Sequence, residues 1–204
     1  SGQTWAADLA ELAADFRLIV YNRRGYGASS SSPRNWGAHA EDTVALIEEL
    51  NAAPVILIGY SGGAIIAVDV ALKRPDLIAR LVLLDPAFNL NRCLTPGLVR
   101  TFAAVTLLRW LRGDRAAAER WLRYVSSYST GGSAFEAASE ARREQLLANS
   151  AGLFADLASA GSTIDESLLG KIGVPVTIVD AGLSPPFLRR SSHRLKQLLP
   201  QART

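Results

Sequence analysis

The chain is 204 residues long, with 49% apolar and 20% charged residues. That excludes a disordered chain and suffices for one domain with a sizeable core and an inserted subdomain. A net charge of +3 and an isoelectric point near 9.3 come from scattered arginines, without the concentrated basic patch that nucleic-acid binding requires. The single cysteine, Cys93, excludes an intrachain disulfide framework and any multi-cysteine metal site. No apolar run reaches the length of a membrane span, and no secretory signal opens the chain. A cytoplasmic setting is the default expectation. Methionine is absent throughout, position 1 included, and the only histidines are His39 and His193. The first fact suggests that Ser1 is not the natural start. The second constrains any mechanism that needs an imidazole.

Residues 5–12 set Trp5, Leu9 and Leu12 at helical spacing and predict a short helix. Residues 16–21, FRLIVY, are β-branched and aromatic and predict a strand. A turn over 22–29 and a serine-rich loop to Pro33 follow. Residues 38–50 predict an amphipathic helix with Val44, Ile47 and Leu50 on one face. Pro54 leads into Val55-Ile56-Leu57-Ile58, a short apolar strand. Residues 64–74 carry a helical pattern that Pro75 stops. Residues 80–86 predict another strand, and its unbroken apolar run implies burial on both faces. Repeated alternation of strand and helix implies βαβ units and a parallel sheet with helices on both sides. Between about 88 and 168 the strands stop. Helices are predicted over 98–112, 115–124, 135–147 and 152–160, separated by Gly113, the 126–133 stretch and Gly161. Trp110 and Trp121 are expected in the core of this helical insertion. Its arginines (among them Arg109, Arg115, Arg123 and Arg143) are expected on solvated faces rather than steering an acidic substrate. Residues 174–179 predict one more strand, and 187–199 a closing helix.

The stretch that carries chemistry is Gly59-Tyr60-Ser61-Gly62-Gly63. It reads G-x-S-x-G between an apolar strand and a helix. That context makes it a nucleophile elbow rather than a glycine-rich turn with a spectator serine. The glycines two before and two after Ser61 are expected to avoid clashes across so tight a turn. The helix behind Ser61 points free N–H groups and its positive dipole end at the hydroxyl.

Taken together, these segments resemble the α/β-hydrolase superfamily over nearly the whole chain. FRLIVYNRRGYGAS (16–29) is similar to the family's strand and RRGYG-S segment, and HAED (39–42) to the helix start that follows. VILIGYSGG resembles the nucleophile strand and elbow, and RLVLLDPA the next strand. VPVTIVDAGLSPP and the helix ending QLLPQAR resemble the elements before the family's histidine loop. The resemblance implies an α/β fold: a mostly parallel sheet with helices on both faces, an inserted all-helical cap and a Ser-His-acid triad. It divides the chain into a first core part (1–88), a cap (89–167) and a second core part (168–204). It also implies truncation at both ends. A strand ending in His-Gly is expected before Trp5, and the catalytic histidine beyond Thr204. The absent strand would sit between the 16–21 strand and the elbow strand. Its loss would leave open edges and make the isolated chain poorly soluble or only partly ordered. His39, at a helix start, is expected to have a surface or capping role, and His193 to lie on an outer helix.

On this reading Ser61 is the nucleophile and the Gly62 N–H is an oxyanion donor. Asp85, at the C-terminal end of its strand, is the candidate acid, with Asp180 as the alternative. The family's usual acid position falls near Ser184, which cannot serve. No metal or cofactor is expected. The partner is a small-molecule substrate, with neither nucleic acid nor membrane. The function implied is a serine hydrolase acting on an ester or related small acyl compound, inactive as this fragment. A non-catalytic binder of the same fold and an acyltransferase using the same elbow are the alternatives. A dinucleotide- or phosphate-binding domain fails, because neither G-x-G-x-x-G nor G-x-x-x-x-G-K-[ST] follows a strand.

Overall fold

The computed structural model describes residues 5, 9–29, 36–159 and 164–204. Its frame is a parallel sheet of β1 (Val55–Tyr60), β2 (Ile78–Leu84) and β3 (Val176–Val179), in that spatial order. The register sets Tyr60 beside Leu84 and Leu84 beside Val179. The residues that leave the three strands, Ser61, Asp85 and Asp180, therefore line one edge of the sheet. Beyond β3, Arg203 adds a single parallel bridge to Thr177.

Helices α1 (Trp36–Glu49), α2 (Gly63–Lys73) and α7 (Pro186–Leu198) build two apolar clusters with the strands. In one, Ala64, Ala67, Val68 and Ala71 of α2 meet Leu81, Leu83, Val176 and Ile178 of the sheet and Leu195 of α7. In the other, Ala40 and Ile47 of α1 meet Ile66 and Val70 of α2. Burying each large aliphatic side chain there contributes roughly 2 kcal/mol. On the opposite sheet face Trp5, itself helical, sets its ring edge-on to Tyr60 at 5.2 Å.

Between β2 and β3 come α3 (Pro96–Val125), α4 (Ala134–Ala137), α5 (Glu140–Leu147) and α6 (Ser150–Ala158). Their starts follow from the sequence. Thr95, Ser133 and Ser139 each accept an N–H of the first turn, satisfying donors that have no partner inside the helix. Gly113, predicted as a separator, takes the non-helical φ 81°, ψ 178° and divides α3 into two helical runs that meet at a kink. These helices share a core of Leu98, Val105, Ala117, Ala118, Trp121, Phe135, Leu147 and Phe154, completed by Phe187 and Leu188 of α7.

Several expectations need correction. Residues 16–21 pair with no strand among the described residues, and Phe16 is half exposed. The segment has strand composition, but a strand is defined by its ladder partner. β2 is fully buried on one face only: Leu81 and Leu83 are inaccessible, whereas Val82 and Leu84 are half-buried. Trp121 is buried, but Trp110 is 82% exposed, because Leu98, Thr101 and Val105 define the inward stripe of α3 and Trp110 falls on the other side. The arginines of these inserted helices do occupy solvated faces. Arg109 pairs with Asp114, Arg115 with Glu144, and Arg123 with Glu119 and Glu136. The predicted helix over 5–12 appears as helical Trp5 and a 3-10 turn, Ala10–Ala14. Its middle, like part of the serine-rich loop and Gly161, lies outside the described residues.

Candidate active site

The turn from β1 into α2 is tight enough to force Ser61 to φ +50°, a left-handed conformation that a non-glycine residue adopts only where its surroundings impose it. Here they do. The Ser61 amide donates to Leu84 O at 3.0 Å, and Ser61 O accepts from Ala64 N at 3.0 Å and Ala87 N at 3.1 Å. The serine is thereby tied both to the helix it precedes and to the neighbouring strand's exit. Helix α2 has no side-chain cap, so its first N–H groups, Gly62 and Gly63 among them, precede the first intrahelical bond. They carry the positive end of the helix dipole.

The glycines do not act quite as the motif suggests. A Cβ on Gly59 would lie 2.6 Å from Gly63 O, 2.8 Å from Ala64 Cα and 2.9 Å from Ala67 Cβ, all rigid neighbours. A Cβ on Gly63 would meet nothing within 4 Å, so the residue two after Ser61 is not excluding a clash. The crowded position is Gly62, where a Cβ would sit 2.9 Å from Cη2 of Trp36 in α1. Gly59→Ala is expected to displace α2 and cost about 1–3 kcal/mol in a urea melt. Gly63→Ala should melt within about 0.5 kcal/mol of the parent.

Asp85 also has a positive φ, +45°. Only 6% exposed, it is held where β2 ends by its amide, which donates to Val179 O at 2.7 Å. Its Oδ2 accepts from Ser184 Oγ, while Oδ1 is buried with no partner among the described residues. Burial pushes the carboxyl above its ordinary value, against the lowering effect of Ser184 and the Ala181 amide. Asp180 differs. It lies at the surface, paired with Lys196, which holds its carboxyl below the usual range against the upward push of burial.

His193 lies exposed on α7, bonded to Gln197 at 3.1 Å. His39 corrects the expectation of a surface or capping role: it is 1% exposed. An ionised carboxylate only accepts, so His39 Nε2 donates to Asp156 Oδ1 at 2.8 Å. Asp156, on α6, also receives Tyr26 Oη at 2.6 Å and pairs with Arg23 Nη2 at 3.0 Å. Burial pushes the Asp156 carboxyl up, but His39, Arg23 and Tyr26 together outweigh it and hold the group below the ordinary carboxylate range. Arg23 lies over the Tyr26 ring at 4.4 Å and over Trp36 at 5.7 Å. Asn149 Oδ1 accepts the Gly27 amide at 2.7 Å, and Arg24 forks onto both oxygens of Asp42. Neither Asp156 nor Trp36 is singled out by the sequence. Asp156 and His39 are separated by 117 positions, and no local pattern links them.

Among the described residues, no cluster of histidine, cysteine and acidic side chains could hold a metal ion, and no helix is long and apolar enough to cross a membrane.

Ser61 thus stands on a strained strand-to-helix turn at the C-terminal edge of a parallel sheet, next to the strand end that carries the buried Asp85. The chain belongs to the alpha/beta hydrolase fold family, whose model matches residues 1–204. It is 34% identical over 88 residues to RutD of Rhizobium rhizogenes, named as a carbamate hydrolase, a match covering 42% of this chain. The matched segment spans 34% of that relative's length, so the chain corresponds there to about a third of it. Two solved structures superpose over nearly the whole chain. An alpha/beta hydrolase from Sphaerobacter thermophilus has TM-score 0.74 and 23% identity, covering 100% of this chain and 79% of the other. A thermophilic esterase from Thermogutta terrifontis has TM-score 0.71 and 25% identity, covering 98% and 74%.

Proposed function

We propose that this chain carries the nucleophile and the acid of a serine hydrolase acting on an ester or related small acyl compound. The observation that carries the reading is the pairing of two strained residues, Ser61 and Asp85, at neighbouring strand ends. Ser61 Oγ attacks the acyl carbonyl while a base accepts its proton. The oxyanion that forms is stabilised by the Gly62 amide at the N-terminus of α2, an interaction whose loss costs on the order of 3 kcal/mol of barrier. Asp85 Oδ1, buried and unpartnered, accepts from the base and stabilises its cation. The base returns the proton to the leaving group, and water then cleaves the acyl-enzyme. Asp85 fits the acid role better than Asp180, whose carboxylate is committed to Lys196 at the surface. The base is the component that His39 and His193 do not supply, since His39 is committed to Asp156 and His193 faces solvent. The helices over 89–167 form the cap of this reading, between core parts 1–88 and 168–204. The hydrolase names of the relatives support the class of reaction and leave the substrate open.

The test is covalent labelling by a fluorophosphonate of the protein expressed from its whole reading frame. Labelling that maps to Ser61 and disappears in Ser61→Ala supports the reading. A wild-type protein that does not label, or a Ser61→Ala variant that still does, overturns it in favour of a non-catalytic binder of this fold.

A further inference from the structure

The two oxygens of Asp85 have different fates, and Ser184 makes the difference. Ser184 stands in the loop between β3 and α7, 99 positions from Asp85 in sequence, and is only 7% exposed. The cap position of α7 is Pro185, which offers no side-chain acceptor, so Ser184 stands one residue outside the cap. Its hydroxyl points back into the sheet edge and donates to Asp85 Oδ2. The loop is tied down on both sides of that contact. Ser184 N donates to Ala181 O at 3.1 Å, and Leu183 O accepts from Ser129 N at 2.8 Å. The hydroxyl is therefore delivered from a fixed backbone.

An ionised carboxylate has acceptor capacity on both oxygens. With Oδ2 occupied by Ser184, the carboxyl is fixed in rotation, and Oδ1 is left buried and empty-handed. A buried acceptor without a donor is costly to keep. One side of Asp85 is thus reserved for a donor that the described residues do not provide.

We propose that Ser184 is a positioning residue: its hydroxyl fixes the Asp85 carboxylate so that Oδ1 faces the catalytic base. This rests on Asp85 being the acid of the serine-hydrolase reading. Ser184 also favours the ionised form of Asp85, since its hydrogen bond lowers a carboxyl that burial raises. Without it, the Ala181 amide alone opposes burial and the nearby Asp180 charge, so Asp85 is ionised only at higher pH and is less firmly oriented.

The experiment measures the rate of fluorophosphonate labelling of Ser61 against pH, in the protein expressed from its whole reading frame. Losing a hydrogen bond to a charged group corresponds to an acid limb moved up by about one to two pH units. Ser184→Ala is expected to show that upward shift together with a roughly tenfold slower plateau. Ser184→Thr, which keeps the donor, should restore both. A Ser184→Ala profile that overlays the wild type, while Asp85→Asn abolishes labelling, overturns this inference and leaves the hydrolase reading intact. So does a slower plateau with an unmoved limb that Thr fails to rescue, the mark of a structural role. Undiminished labelling in Asp85→Asn instead removes the acid assignment itself.

Discussion

Replacing Asp85 with asparagine is expected to reduce turnover by roughly 10⁴-fold while leaving the fold at least as stable as the parent. The two halves of this outcome have one cause. Asp85 is buried, and burial raises its carboxyl above the ordinary value. The folded state therefore binds the proton more tightly than the unfolded chain does. Its destabilising effect is absent at low pH. It develops as pH rises from the ordinary carboxylate range, about 4, through the raised folded value, and it persists above that. Asparagine is neutral throughout, so D85N should lack this decline and melt at or above the parent temperature at neutral pH. Its amide cannot stabilise an imidazolium, so activity collapses. Stability lost in step with activity would mark Asp85 as structural. Asp180→Asn is the control, because its exposed pair with Lys196 belongs to a class worth about 0–1 kcal/mol. A large loss of turnover in Asp180→Asn, with D85N near wild type, would reverse the assignment.

The contrast between Asp85 and Asp156 shows what a sequence can disclose. The strand-to-helix turn at Ser61 was legible because its determinants are local. An apolar strand, a small-residue turn and a helical run lie within twenty residues, and each sets its own conformation. The start of α3 at Thr95-Pro96 and its kink at Gly113 are local in the same sense. The place of Asp85 was legible because a strand end in a parallel sheet is a defined position. The contact of Ser184 was not, since its acceptor lies 99 positions away and no local pattern links the two. Residues 16–21 failed for a complementary reason. Their composition suits a strand, yet pairing depends on a neighbour that composition does not encode. His39 was misread as superficial because its partner comes from a helix more than a hundred residues away. Trp110 was misread because bulk was taken for burial, whereas the phase of α3 turns it outward.

Removing the Asp156 carboxylate is the change expected to damage the fold most. Asp156→Ala should cost about 3–5 kcal/mol, because it strands buried partners rather than deleting a self-contained pair. His39 and Tyr26 would lose their acceptor, and Arg23, whose Nη1 is already unpartnered, would lose its counter-charge. For a chain of this size that corresponds to a melting temperature lower by roughly 10 °C. The effect should carry a pH signature. The folded carboxyl is held below its ordinary value. Its stabilisation is therefore complete above about pH 4 and is lost as pH falls through the depressed folded value. In Asp156→Asn that acid-limb dependence should vanish, because nothing at the position titrates. A destabilisation under 1 kcal/mol, or an unchanged acid limb, would show that α6 is retained by apolar contacts such as Phe154 alone. The network would then be incidental. The packing argues otherwise. A Cβ on Gly152 would sit 2.4 Å from Gly25 O, so α6 approaches the Arg24–Gly27 turn too closely for a layer of water or side chains between them. At that distance the polar groups that face α6 are satisfied by it or by Asn149 at its start, and Asp156 meets three of them. Because Trp36 lies between Arg23, His39 and Gly62, the same contact that seats α6 also backs the turn at Ser61. A second consequence therefore accompanies the stability loss. Below its own melting point, Asp156→Ala should label at Ser61 more slowly than the parent, whereas Asp69→Ala, which removes an exposed i,i+4 pair with Lys73 on the far end of α2, should not.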